Sequence, residues 1–404
     1  MDDSVLLARQ PIFDSKNDLY AHEFLYRREN LLNINDISDM STRELLVNIC
    51  TSILEKDINM GLPMFINVDA EFLMAEDFFP IAPKNIVFEI LETIPPTPIV
   101  LQRINKLKSV GFEFALDDYL LEKSKVPFFK FLKIIKVDVL GLDFNRLEKA
   151  IPTLKNIGCL LLAEKVENQE VYDKCLALGF DLFQGFYLEK PSIIKGKKVE
   201  ANKQSVLHLL SELSRSDIEV DEVAELISRD TGLALKIFAL VNSPIYQLVR
   251  DVSSVKDAVV ILGLDVVKQW AITLVLVSNS SRPIELFRII LIRAKTLALY
   301  ANHAAKNGKK VTSSTCFLVG LLSGVEAIFE REMKEVLKFI KLNPEIKIAL
   351  LQKDNDLGEM LKISIGIERF SNSVFEQLTN QEVCSYNRCY RDALKWADEV
   401  MKYL

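Results

Sequence analysis

Acidic side chains stand at the ends of successive apolar runs in the first half of the chain: Glu23, Glu89, Asp117 with Asp118, Asp138, Glu164 and Glu167. An acid at the end of a strand that has crossed a core stands at the rim of a sheet or barrel, where metal and phosphate chemistry is done. Two unit charges about 4 Å apart interact by roughly 4 kcal/mol at an effective dielectric near 20, so such a set cannot share a pocket uncompensated. Lys136, Lys165 and Arg27 lie in the same stretches and supply part of the positive charge. Divalent cations would supply the rest, and an oxygen-rich ligand set suits Mg2+, Mn2+ or Ca2+. Any one of these acids by itself reads as a solvated strand end or helix cap; the recurrence is what argues for a site. Asp117-Asp118 puts one acid inward and one upward at a strand end, and Lys136-Val137-Asp138 puts a cation and an anion on one face of a strand.

The elements that must position these groups are short runs rich in Val, Ile, Leu and Phe, over 19–27, 63–68, 86–91, 112–118, 134–139, 160–166 and 180–186. Runs of this kind are strands buried on both faces and covered by helices. Segments long enough for helices separate most of them, such as 98–109, with Ile99, Ile104 and Leu107 at helical spacing, and 169–178. Strand and helix alternating about seven times implies an α/β fold of the TIM-like β/α barrel kind. A doubly wound open sheet is the alternative, but no Gly-rich phosphate turn follows the first strand.

A chain of 404 residues holds two domains, each with its own core. The text changes after Phe186: a polar stretch through Gly196-Lys197-Lys198 leads into helical patterns over 258–264, 266–277, 286–304 and 311–322. Asn242-Ser243-Pro244 and Gly263 mark turns between helices. The expected division is a barrel over 1–195, a linker over 196–202 and an all-α domain over 203–404. A formal net charge of −6 argues against a nucleic-acid backbone as partner, which needs clustered Lys and Arg. The longest apolar runs fall well below the ~18 residues of a spanning helix, and no basic and apolar leader opens the chain, so a cytoplasmic protein without a membrane span is expected. The six cysteines show neither a CxxC pair nor zinc-ligand spacing; a Cys384–Cys389 redox pair is outweighed by reduced thiols serving as small apolar residues.

Over about residues 5–192 the text resembles the EAL domain, the bacterial cyclic di-GMP phosphodiesterase family. The matching segments occur in order: Glu23-Phe24-Leu25-Tyr26-Arg27, Phe65-Ile66-Asn67, Phe88-Glu89-Ile90-Leu91-Glu92, Asp117-Asp118, Lys136-Val137-Asp138, Ala163-Glu164-Lys165-Val166-Glu167 and Phe183-Gln184-Gly185-Phe186. The resemblance implies that Glu23, Asn67, Glu89 and Asp117 ligate one metal, with Asp117 shared with a second that also uses Asp118. It implies Glu164 as general base, Lys136 and Asp138 as groups that position the attacking water, Arg27 as a phosphate contact, and Glu92, Glu167 and Gln184 as supporting residues. The implied cofactor is Mg2+ or Mn2+, as a two-metal site if active, the partner cyclic di-GMP, the product linear pGpG, and a homodimer through the barrel is common in such relatives.

The chain departs from that pattern in three places. Tyr119-Leu120-Leu121-Glu122-Lys123 stands where the family carries Phe-Gly-Thr-Gly, Lys165 stands for a Gly, and Phe24 for an Ala. Loss of the glycines removes the permissive backbone of the loop. The expectation is a cyclic di-GMP signalling protein with weak or lost hydrolysis; an active phosphodiesterase is the alternative.

From 203 to about 400 the text resembles the HDOD domain, a helical relative of the HD phosphohydrolases, through Ser228-Arg229-Asp230-Thr231-Gly232-Leu233, Leu240-Val241-Asn242-Ser243-Pro244 and Ile261-Leu262-Gly263. Ser323-Gly324 stands where an HD pair would be, and His22, His208 and His303 are the only histidines. The resemblance implies a non-catalytic module that engages an unknown protein partner. The order EAL then HDOD, behind Ala8-Arg9-Gln10-Pro11-Ile12-Phe13, resembles two-domain signalling proteins of the YuxH type.

Overall fold

The computed structural model describes residues 5–28, 62–75, 85–187, 201–215, 217–246, 248, 252, 254–280 and 282–404. Cys50 lies outside them, as does the side chain of Arg27. The chain divides into two compact units, 1–188 and 189–404.

Eight strands close the first unit into a barrel in sequence order. They are β1 (Val5–Asp14), β2 (Leu19–Arg28), β3 (Met64–Val68), β4 (Ile86–Ile90), β5 (Glu113–Tyr119), β6 (Ile134–Asp138), β7 (Leu160–Glu164) and β8 (Leu182–Gln184). Each of the seven expected runs contains a strand. The eighth, β1, was not among them: it runs antiparallel to both β2 and β8, while the other neighbours pair in parallel. Pro11 inside β1 argues against a strand by composition. The turn after it decides otherwise: Asp14 Oδ1 accepts the amides of Lys16 and Asp18, and Asn17 takes φ 63°, which folds β1 back on β2 as a hairpin.

Helices cover the outside. Pro98–Ser109 starts at an Thr97 cap with proline in its first turn, Phe144–Lys155 at Asp143, and Gln169–Leu178 at Asn168. The last stops at Gly179 in the left-handed region (φ 92°). Their apolar faces, including Ile104, Leu107, Leu147 and Ile151, pack on the outward strand residues Phe88, Phe114, Ile135 and Leu161 in one continuous core.

Side chains alternate along a strand, so every second residue faces the barrel axis. A separate apolar layer takes one inward residue from each strand: Ile12, Ala21, Phe65, Val87, Ala115, Ile134, Leu162 and Leu182. This layer is the floor beneath the acidic groups.

In the second unit the first described helix begins at Ala201, two positions inside the expected linker, whose residues 196–200 lie outside the description. The 23-residue helix Ile284–Lys306 packs with Ser313–Leu322 and Asn380–Val400. Gly320 permits the first of these contacts, because a Cβ there would sit 2.5 Å from Ala294 Cα. Arg293 is buried inside the unit; its Nε and Nη2 reach Glu368 at 2.9 and 2.5 Å, and its Nη1 donates to Ser323 Oγ at 3.1 Å. Among the described residues no helix is long and apolar enough to cross a membrane.

Candidate functional site

Two residues beyond the apolar floor, in the direction that leads out of the barrel, each strand presents a polar side chain. From Ala21 the next inward residue is Glu23; from Phe65, Asn67; from Val87, Glu89; from Ala115, Asp117; from Ile134, Lys136; from Leu162, Glu164; and from Leu182, Gln184. On antiparallel β1 the step runs backwards, from Ile12 to Gln10. The site is therefore one complete layer of a closed barrel, an alternation of period two repeated around the ring.

Lys136 sits at its centre with no solvent exposure. Its Nζ is 2.5 Å from Glu89 Oε1, 2.7 Å from Asp117 Oδ1, 2.9 Å from Glu164 Oε1 and 3.2 Å from Glu23 Oε2. Gln184 Nε2 donates to Glu23 Oε2 at 2.5 Å and to Gln10 Oε1 at 3.2 Å, and Asn67 Nδ2 donates to Glu23 Oε1 at 3.3 Å. Gln10 belongs to the ring but was not among the expected site residues; the available signal was its place two residues before Ile12 on a strand whose direction the sequence did not reveal.

One cation against four carboxylates sets the protonation. Burial pushes the Glu89 carboxyl well up, and the neighbouring Glu23 charge adds to that despite Lys136. Burial also raises Glu164, to about 8, against the lowering pull of Lys136 and with smaller contributions from Asp117, Glu23 and Asp118. Asp117 is raised chiefly by burial. Glu23 goes the other way: burial would raise it, but the Lys136 charge and the Gln184 hydrogen bond hold it below its ordinary range. For Lys136 burial favours the neutral amine, yet Asp117, Glu164, Glu23 and Glu89 together hold the ammonium firmly protonated.

Asp118 and Asp138 form a second level nearer the rim. The β5–β6 register shifts between Leu116 and Tyr119, and Asp118 takes φ 44° there, so the chain bulges at the acid pair and aims the two carboxylates differently. The Asp118 amide donates to Glu164 Oε2 at 3.2 Å. Asp138 Oδ1 accepts the amides of Leu140 and Gly141. Lys165 bridges the pair, with Nζ 2.7 Å from both Asp118 Oδ1 and Asp138 Oδ2. Carboxylate oxygens of Glu92, Asp117 and Asp118 lie within 4.8 Å of one another. Glu167 is exposed beyond β7, and Arg27 lies on β2 with its side chain outside the described part.

The donor set fits a hard divalent cation. Asn67 Oδ1 and Gln184 Oε1 are buried without a hydrogen-bond partner, which is costly unless an electropositive group meets them. They stand beside the carboxylates of Glu23 and Asp117, all oxygen donors of the type that Mg2+, Mn2+ and Ca2+ take.

The EAL domain family matches residues 42–191 and the HDOD domain family residues 201–357. A Bacillus subtilis (strain 168) protein, the uncharacterized YuxH, is 32% identical over 98% of this chain and 99% of its own length. The Vibrio cholerae protein named cyclic di-GMP phosphodiesterase CdgJ is 26% identical over 90% of this chain and 84% of its own. A crystal structure of an EAL domain protein from Listeria monocytogenes EGD-e matches 46% of this chain and 87% of its own, at 22% identity and a TM-score of 0.38.

Proposed function

This chain belongs to the family of two-domain proteins in which an EAL domain precedes an HDOD domain, and on that premise we propose that its barrel binds cyclic di-GMP in a metal-dependent way and hydrolyses it to pGpG slowly or not at all. The observation that carries the reading is the single inward layer of Glu23, Asn67, Glu89, Asp117, Lys136 and Glu164, closed around one buried ammonium.

Glu23, Asn67, Glu89 and Asp117 would hold one ion, and Asp117 with Asp118 offer ligands for another. Bound Mg2+ or Mn2+ supplies charge neutralisation at phosphate oxygens and an acidified water. Glu164, held between the Lys136 ammonium and the Asp118 amide, is placed to take a proton from that water once a bound cation favours its carboxylate form. Lys136 and Asp138 orient the water, Arg27 meets a phosphate, and Glu92 and Glu167 support from the rim. Gln184, itself held against Gln10, fixes Glu23. Slow turnover is supported by the loop after Asp118. Leu121 sits at φ 64°, a left-handed conformation that glycine adopts freely and a leucine does not, so the loop is stiff where a flexible one would order a rim ligand. The helical unit is assigned the output, engagement of a protein partner.

A second reading, full phosphodiesterase activity, is favoured by the completeness of the inner layer and by the name of the V. cholerae relative. One preparation separates the two. Calorimetry with cyclic di-GMP and Ca2+ should give micromolar binding, and incubation with Mn2+ should give pGpG at a rate barely above a Glu23→Ala control. Rapid turnover favours the second reading; no heat and no product reject both.

A further inference from the structure

Lys165 is an ammonium that bridges two acids of the rim. Its Nζ lies 2.7 Å from one oxygen of Asp118 and 2.7 Å from one oxygen of Asp138, and both acids are fixed by other contacts. Asp138 uses its second oxygen on two loop amides, and Asp118 is anchored by its own amide on Glu164. The lysine's backbone also stands out. Its φ is 58°, in the left-handed region where a Cβ crowds the following carbonyl, so a residue other than glycine is held there at a conformational cost. What the side chain gains from that position is the bridge.

Asp118 also belongs to the rim group with Glu92 and Asp117, the described acids close enough to share an ion. A divalent ion there would share the Asp118 carboxylate with Lys165, whose ammonium already offsets its charge. The lysine is 44% exposed, so solvent screens each pair, and the strength of a single contact is not what excludes an ion. The tether is: a side chain fixed to β7's end stays in reach of both acids at a high effective concentration, whereas a free ion must be drawn from solution.

Building on the metal-site reading above, we propose that Lys165 is a built-in counter-ion for Asp118 and Asp138, so that the acidic mouth of the barrel takes one divalent ion per chain instead of two. Lys165 acts here as a positioning residue: it touches the acids, and through them sets the number of ions.

The test is ion stoichiometry on the full chain, stripped with chelator and titrated with Mn2+, read by calorimetry and by the electron paramagnetic resonance signal of free Mn2+, with no substrate present. Wild type should bind one ion, Lys165→Arg one, and Lys165→Gly and Lys165→Gln two. Glycine suits the φ at this position, so the first neutral variant should fold; the second keeps a side chain and guards against a purely backbone effect. Two ions in wild type would overturn the proposal and leave the metal site standing, as would one ion in both neutral variants. No ion in any of the four would overturn the metal reading and this inference together.

Discussion

The group most exposed to a decisive perturbation is Lys136. Lys136→Met keeps the length and removes the charge, leaving Glu23, Glu89, Asp117 and Glu164 facing one another in a site closed to solvent on the barrel side. Removing one partner of a buried ion pair costs about 3–5 kcal/mol, because the charges left behind are neither solvated nor paired. For a domain of this size each kcal/mol shifts the melting temperature by about 2–4 °C, so the metal-free barrel transition should fall by roughly 6–20 °C. The loss should grow with pH. The raised carboxyls of Glu89 and Glu164 keep protons that relieve the repulsion at pH 6, and holding those protons costs the folded variant more as pH rises. Saturating Mn2+ should restore most of the loss, since ligand at 100 times its Kd contributes about 2.7 kcal/mol. Calorimetry reads both units; tryptophan fluorescence reads the helical unit alone, because Trp270 and Trp396 are the chain's two tryptophans and both lie there. A metal-free barrel transition within about 2 °C of wild type at pH 9 would refute the picture of one ammonium balancing four acids.

Other outcomes follow from the same geometry. In the metal-free protein Glu164 keeps a proton between its ordinary 4.5 and about 8 that the unfolded chain has lost; stability should decline as pH rises across that window while Mn2+ affinity increases, with proton release measured by calorimetry in buffers of different ionisation enthalpy. Glu164→Gln should keep Ca2+-dependent binding of cyclic di-GMP and bring pGpG formation down to the level of the Glu23→Ala control. Gly185→Ala should cost roughly 3 kcal/mol or more in urea unfolding, because its Cβ would stand 2.2 Å from Val166 O at φ 146°. Arg293→Met should destabilise the helical unit by about 3–5 kcal/mol by tryptophan fluorescence, with Mn2+ binding in the barrel unchanged and much of the loss recovered by adding Glu368→Leu.

Much of the barrel was legible in the chain because burial on both faces writes itself as continuous apolar runs, and seven of the eight strands announced themselves that way. The site was legible for the same reason: a strand of fixed period carries its acid to the rim, so Glu23, Glu89, Asp117 and Glu164 could be named before their contacts were known. The sequence also held the departures from the family pattern, the loop with Leu121, Lys165 and Phe24. Tertiary structure alone decided the rest. It made β1 a strand despite Pro11, because a hairpin turn and two antiparallel neighbours outweighed composition, and that brought Gln10 into the ring. It placed Lys136 at the centre of four carboxylates instead of beside one, and Lys165 across Asp118 and Asp138. Pattern along a chain tells which way a side chain faces; which charges end up within 3 Å of each other depends on how far each strand slides past the next when the barrel closes.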